Sequence, residues 1–464
     1  MKKAKFKMIG NGSRIEEVSE SSCLCASVLK KDAGAVEGGF NTETQRCRGT
    51  EFKMTEIGLI PEDWEVKRLG EVCETSSGGT PSRSNLSYYD GNIKWFTTTE
   101  LQDCNLYDSN EHISRDALKK SSAKIFPCGT LLMAMYGATI GRLGVLRTEA
   151  ATNQACCAIF CGNLIDTVYT YYYLYHSRLA IIEKGCGAGQ PNISQEIVRS
   201  LWISLPPLPE QKAIADALSD VDALIAAQEE LIEKKRAIKQ GAMQELLTGK
   251  KRLPGFGGKC RQESLETEDF NAEAQRRRGL ECKMTEVGLI PVDWEVKRLG
   301  ELFEIGHGRD YKGLRDGDVP VYGTGGLMTT VESYLYDGET VCIGRKGTID
   351  NPMYHSGKIW TVDTLFYTHS FKGVIPKFLY YLFCLIDWMS YNEATGVPSL
   401  TSKNIEEIEV KLPHSLAEQK AIAEVLSDMD AEISELESQK AKFESIKQGM
   451  MQELLTGKTR LKGA

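Results

Sequence analysis

Arginine, lysine, glutamine, asparagine, threonine and tyrosine recur in seven short polar stretches, six of them glycine-rich: 78–85 (GGTPSRSN), 136–144 (YGATIGRLG), 151–154 (ATNQ), 187–192 (GAGQPN), 306–313 (GHGRDYKG), 321–326 (VYGTGG) and 344–348 (GRKGT). The chemistry these side chains share is hydrogen bonding to flat, polar partners. Arginine and lysine match the acceptor edge of guanine, and asparagine and glutamine the edge of adenine. Glycine lets the backbone approach a phosphate closely. Each stretch alone reads as an ordinary turn. Together, in matched places of two halves, they form a credible surface for reading nucleic acid.

Residues for bond-making chemistry do not accompany them. The sequence has no G-x-x-x-x-G-K-[ST] phosphate loop, no G-x-G-x-x-G after a strand, no H-E-x-x-H and no G-x-S-x-G. Residues 350–354 (DNPMY) resemble the N-P-P-[YF] motif of amino-methyltransferases. They lack its second proline, and the glycine-rich cofactor loop of such enzymes is missing, so they read as a turn. Short acidic patterns single out no set of carboxylates converging on a metal. The 14 cysteines include no C-x-x-C pair, and the 6 histidines do not cluster near them, which points to no metal site. Cys156, Cys157 and Cys161 sit in an apolar context (ACCAIFC) and read as small core residues, with the thiols expected to be reduced.

The elements that must position the polar stretches are written twice. Residues 54–71 (MTEIGLIPEDWEVKRLGE) return 230 residues later as 284–301 (MTEVGLIPVDWEVKRLGE), with sixteen of eighteen positions identical. Residues 243–250 (MQELLTGK) return unchanged as 451–458, and EQKAIA at 210–215 returns at 418–423. Constant frames thus enclose two differing interiors, a pattern suited to one kind of partner docked twice and two different targets read. Pro61 and Pro291 disfavour helix at the preceding isoleucine, so the GLIP frame reads as extended, with Trp64 and Trp294 as buried anchors. Each interior mixes β-rich runs (92–98, 129–137, 339–344) with an aromatic helical run (169–179, 376–386). Residues 1–53 and 255–283 are polar, share FN-x-E-x-QR-x-RG, and read as flexible linkers; Arg276–Arg278 reads as a solvated charge run.

The closing segments read as long helices. Pro209 suits a first turn and Gly249 a stop. Apolar residues fall at Ile214, Leu218, Val221, Ile225 and Ile232, and at Ile422, Leu426, Met429, Ile433 and Leu436, continuing through Phe443, Met450 and Leu454. Steps of four and three residues average 3.5, the seam of a left-handed supercoil, and each helix supplies a partner for the other. Gln228, Lys235, Lys440 and Lys447 interrupt the seam, either to set register or to face a partner protein. Hydrophobic content of 41% and charge of 26% suit a soluble protein, and no apolar run is long enough to span a membrane. The N-terminus lacks a signal-type apolar stretch, so the expected location is cytoplasmic. A net charge of −8 argues mildly against nucleic acid, yet binding needs only a local basic face.

In GLIP-x-DWEVKRLGE (both copies), TLLMAMYGATIGRLG, ATNQ, GAGQPNIS, LPPLPEQKAIADALS and QELLTGK, the chain resembles the specificity subunits of Type I restriction–modification systems. The resemblance spans about 54–252 and 284–461. It implies an α+β fold: two mixed α/β target-recognition domains joined by two long antiparallel coiled-coil helices with a pseudo-two-fold internal repeat. The expected organisation is an extension at 1–53, recognition domain 1 at 54–206, spacer helix 1 at 207–254, a linker at 255–283, recognition domain 2 at 284–413 and spacer helix 2 at 414–464.

The implied function is to read a bipartite, asymmetric double-stranded DNA site, one half per domain, while the helices set the spacer and dock partners. Those partners are two modification (methyltransferase) subunits and, indirectly, restriction subunits, with no membrane. The chain itself is expected to be non-catalytic and without cofactor, S-adenosylmethionine, ATP and Mg belonging to the partners. By position, the DNA-facing loops map onto Arg83, Arg142, Gln154 and Gln190 in the first half, and Arg309, Lys312, Tyr322, Arg345 and Lys346 in the second. Two other readings stay open: a coiled-coil scaffold that binds no DNA, and a single-chain fused restriction or modification enzyme.

Overall fold

The structure is a computed structural model and describes residues 51–185, 192–257 and 282–461. The expected extension and linker lie largely outside these residues, as does Gln190. Each GLIP frame folds as a β-hairpin, Phe52–Thr55 with Gly58–Pro61 and Cys282–Thr285 with Gly288–Pro291. The hairpins therefore begin at Phe52 and Cys282, inside the stretches read as linkers. Each frame continues into a strand that pairs with the one entering the long helix: Glu65–Arg68 with Trp202–Leu205, and Trp294–Arg298 with Glu409–Pro413. The constant strand that opens each half thus pairs with the strand just ahead of the repeated EQKAIA segment, a two-stranded clasp that closes each variable interior. Trp64 and Trp294 are 0% and 1% exposed beneath it.

The first interior holds a five-stranded sheet, in the order Cys73–Ser77, Cys156–Cys161, Leu131–Ala134, Leu143–Leu146, Cys104–Leu106. A four-stranded sheet (Glu111–Ile113, Ile93–Phe96, Ala150–Thr152, Ile125–Phe126) lies beside it. The second interior holds six strands, in the order Glu304–His307, Leu365–His369, Tyr336–Gly344, Met353–Thr361, Val319–Gly323, Gly326–Val331. An aromatic helix backs each sheet. Thr167–His176 is capped by the Asp166 carboxylate, which accepts from the amides of Val168 and Tyr169 at 2.8 and 2.9 Å; Pro376 opens the counterpart, Pro376–Leu385. Cys156 and Cys157 are buried, as their apolar context requires.

The closing segments are helices of 39 residues each, Leu208–Leu246 and Leu416–Leu454, and Gly249 adopts φ 72° just past the first. They run antiparallel. Lys447 pairs with Asp222 at 2.6 Å, Lys440 with Glu229 at 2.8 Å, Lys235 with Glu432 at 2.5 Å, and Lys239 with Asp430, so numbers rise on one helix as they fall on the other. Gln228 donates to the Leu436 carbonyl at 3.1 Å. All four polar interruptions of the seam therefore reach the opposing helix and fix its register.

The apolar stripe is shared more widely than its period implies. Ile232 and Ile433 are buried along the middle, while Ile225, Met429 and Leu436 are half-buried. Ile214 and Leu218 join the first domain's core, which also takes Met451, Leu454 and Leu455 from the end of the second helix. Ile422 and Leu426 join the second core with Met243, Leu246 and Leu247 of the first helix. Each core is thus completed by a helix end from the other half. Two arginines lock these crossings. Arg460 forks onto Glu210 and Asp63, and Arg252 onto Glu418 and Asp293.

Each aromatic helix is keyed to the helix pair by a phenol. Tyr172 donates to Asp222 at 2.7 Å and Tyr381 to Asp430 at 2.8 Å, the same aspartates that Lys447 and Lys239 reach from the opposing helix. Burial, and then the neighbouring carboxylate, push both phenols well above the usual tyrosine range, so they remain donors.

Candidate nucleic-acid interface

Among the described residues, polar segments of both halves meet at the ends of the central strands, 79, 135 and 152–155 in the first and 309, 345 and 361–364 in the second. The Gly79 amide donates to the Thr152 carbonyl at 2.8 Å, and the Arg309 amide to the Thr361 carbonyl at 2.8 Å. The Met135 amide donates to Ala155 at 2.9 Å, and Arg345 to Thr364 at 2.8 Å. Ile193 donates back to the Met135 carbonyl at 2.8 Å, and Leu400 to the Arg345 carbonyl at 2.9 Å. One hydrogen-bond frame therefore carries two sets of side chains. Glycine is obligatory in it at one matched place. A Cβ on Gly78 would lie 2.2 Å from the Thr152 carbonyl oxygen, and one on Gly308 would lie 1.9 Å from that of Val362.

In the second half the frame encloses a cleft of about 790 Å3 lined by His307, Arg345, Lys346, Asp363, Val397 and Thr401, among others. Arg345 and Lys346 are exposed there, and Arg345 Nη1 donates to the Asp363 carbonyl oxygen at 3.3 Å. Arg309 and Lys312 are exposed on the adjoining loop; the Arg309 carbonyl accepts from Trp360 Nε1 at 2.9 Å and the Lys312 amide donates to Asp310 at 3.2 Å. Tyr322 is half-buried against His355, ring centres 5.5 Å apart, and does not line the cleft. Asp363, Val397 and the hydroxyls of 399–402 were not singled out from sequence. The signal was present, since TVDT at 361–364 occupies the place of TNQA at 152–155.

In the first half Gln154 is exposed, accepts from the Thr80 hydroxyl through Oε1, and has its carbonyl bound by the Tyr136 hydroxyl at 3.1 Å. Arg142, at the turn after Leu131–Ala134, donates to Gln102. Arg83 is held within its own domain: it forks onto Glu111 at 2.5 and 3.1 Å and lies over the rings of Tyr89 and Trp95 at 4.3 and 5.1 Å. The structure therefore brings Gln154 together with Tyr136 and Thr80, and Arg345 with Lys346, while Arg83 stays exposed with Glu111 as its ion-pair partner. Among the described residues no group of three or more His, Cys, Asp or Glu is placed to hold a metal. No helix among them is long and apolar enough to cross a membrane.

Two segments of the chain, 61–235 and 291–444, match the family described as the Type I restriction modification DNA specificity domain. The chain belongs to this family. Its members confer DNA specificity and are not themselves catalytic, and this specificity subunit does the same. It is similar to the putative Type I restriction enzyme MjaX specificity subunit of Methanocaldococcus jannaschii, 29% identical over 443 residues that cover 89% of this chain and 97% of the relative. The MjaIX specificity subunit of the same organism is 31% identical over 266 residues, 56% of each chain. Among solved structures, the S subunit of a Type I system from M. genitalium has a TM-score of 0.54 at 18% identity, covering 84% of this chain and 96% of that one. A structure from work on complex assembly and conformational transition of a Type I system has a TM-score of 0.51 at 15% identity, covering 86% and 99%. These two likenesses concern the fold: mixed α/β, with sheet-rich domains and long helices.

Proposed function

We infer that the subunit reads one half of a bipartite, asymmetric DNA site with each recognition domain, 54–206 and 284–413. The observation that carries this reading is the shared hydrogen-bond frame with different side chains on it, one scaffold equipped for two sequences. The paired long helices act as an antiparallel coiled coil with pseudo-two-fold repeat, which holds the two reading surfaces at a set separation. Modification subunits, bearing S-adenosylmethionine, methylate adenine in each half; restriction subunits with ATP and Mg join them. Replacing residues 302–412 with the matching segment of another family member is expected to change one half-site and leave the other half and the spacer intact. Mapping methylated adenines checks this. A change in both half-sites would contradict it.

The helix pair also offers a docking surface. Leu224, Leu231 and Ile238 fall seven residues apart on the first helix and are 47%, 38% and 49% exposed. That spacing is a second apolar seam outside the one already used, of the kind that receives a partner helix. Leu231→Asp leaves the buried seam untouched, so the subunit should fold normally. Its binding to the modification subunit is expected to weaken by roughly 5- to 30-fold, the effect of losing an apolar anchor at an interface, as read by titration calorimetry.

A further inference from the structure

We propose that the second domain reads a G·C pair through Arg345 and Asp363, and that the first domain presents Gln154 to an A·T pair at the matched step. The inference rests on the DNA-reading function above and adds the base class and the residues. The shared amide bonds of the frame set the correspondence: Arg345 stands where Met135 does, Lys346 where Tyr136 does, and Asp363 where Gln154 does. At equivalent points of one scaffold the second domain thus carries two cations and a carboxylate, and the first a buried methionine, a phenol and an amide.

In the major groove a G·C pair presents two acceptors, N7 and O6 of guanine, followed by the amino donor of cytosine. The complement is two donors beside an acceptor. Arg345 Nη1 is anchored on the main-chain oxygen of Asp363 at 3.3 Å, which holds the guanidinium at the Asp363 backbone and leaves its remaining N–H groups for N7 and O6. Both residues are exposed and line the same cleft. A carboxylate at a DNA-facing cleft repels phosphate, so its place there calls for a donor on the ligand, and the cytosine amino group is that donor. Lys346, beside them, suits the phosphate backbone, which carries no sequence information.

An A·T pair instead presents an acceptor and a donor on adenine, and a carboxamide satisfies both. Gln154 Oε1 already accepts from the Thr80 hydroxyl. Its second lone pair can take the adenine amino group while Nε2 donates to N7. Met135 is buried and adds no polar group.

The test maps methylated adenines after co-expressing the full chain, or a variant, with its modification subunit in a host free of adenine methylation. The half-site that domain exchange assigns to the second domain should contain a required G·C pair. Arg345→Ala and Asp363→Leu, which removes the acceptor, should each lower the preference for it by roughly 5- to 150-fold, the range for losing a paired base contact. The other half-site and the spacer should stay unchanged. Gln154→Ala should relax an A·T position in the first half-site alone. The assignment is overturned if the second half-site requires no G·C pair, or if Asp363→Leu, of similar size and without an acceptor, assembles normally and reads the site unchanged. It is also overturned if Arg345→Ala lowers methylation evenly at all sequences, which marks a phosphate contact. Should Arg345→Ala prevent assembly, Asp363→Leu decides. If omitting the chain leaves the same motif methylated, the DNA-specificity reading itself has failed, and the base assignment falls with it.

Discussion

Inserting four residues into the middle of both long helices, after Glu230 in one and after Gln439 in the other, is expected to lengthen the unspecified spacer by about two base pairs while both half-sequences stay the same. One helical turn adds about 6 Å, and a base pair occupies about 3.4 Å. Both insertions are needed because both helices enter both domain cores. The first domain holds Ile214 and Leu218 of one helix and Met451 and Leu454 of the other; the second holds Ile422 and Leu426 with Met243 and Leu246. The proposed sites lie between the two keys, Tyr172–Asp222–Lys447 and Tyr381–Asp430–Lys239, so each domain keeps its own attachment. Lengthening one helix alone is a different case: a single insertion slides Lys235 and Lys239 past Glu432 and Asp430 and pulls one helix end out of a core. A single insertion should therefore lower the yield of folded protein without a longer spacer. Methylation mapping reads both outcomes, and altered half-sequences in the double insertion would contradict the ruler.

Arg252→Met is expected to destabilise the subunit by about 3–5 kcal/mol, the cost of leaving a buried charge unpaired. Arg252 donates through Nε and Nη2 to Glu418 at 2.8 and 2.5 Å, and through Nη1 and Nη2 to Asp293 at 2.7 and 2.8 Å. The Glu418 side chain is 1% exposed, so water cannot replace the lost partner. Arg252→Lys should recover only part of the loss, since a single ammonium nitrogen cannot make the paired bonds that the planar guanidinium makes to each carboxylate. Pairing Arg252→Met with Glu418→Gln, which removes the stranded charge, should restore most of the stability. Urea unfolding monitored by tryptophan fluorescence measures all three variants. An unfolding free energy for Arg252→Met within about 0.5 kcal/mol of the parent, the range of an ordinary surface substitution, would show that the crossing is held by the apolar helix ends alone. Arg460, which makes the same fork onto Glu210 and Asp63, should behave alike.

Much of this architecture was legible in local pattern. The doubled frame, the 3.5-residue period, Pro209 and Gly249 place the two helices, and a single tryptophan in each constant segment marks its anchor. These features act within a few residues of themselves, so the sequence displays them directly. Long-range partners are another matter. Arg83 stands in a glycine- and serine-rich stretch that looks open, yet Glu111, Tyr89 and Trp95 take it up. Arg252 and Arg460 look like ordinary basic residues after a helix, although Arg460 reaches a carboxylate 397 residues away in the chain. Asp363 escaped notice because a carboxylate is the wrong charge for phosphate. Its significance emerges only when hydrogen bonds align it with Gln154 and anchor Arg345 on its main-chain oxygen, in one cleft. The seam residues were identified by period, but period does not say whether Ile214 and Ile422 meet a helix or a domain. Their cores supply that answer.

The central claim is that this chain supplies the DNA sequence specificity. The most direct test is to co-express it with its modification subunit in a host free of adenine methylation and sequence the methylated adenines, with and without the chain. The predicted result is a two-part motif with an unspecified spacer, present only when the chain is present. A stable complex that methylates no such motif, or a motif that persists without the chain, would contradict the account.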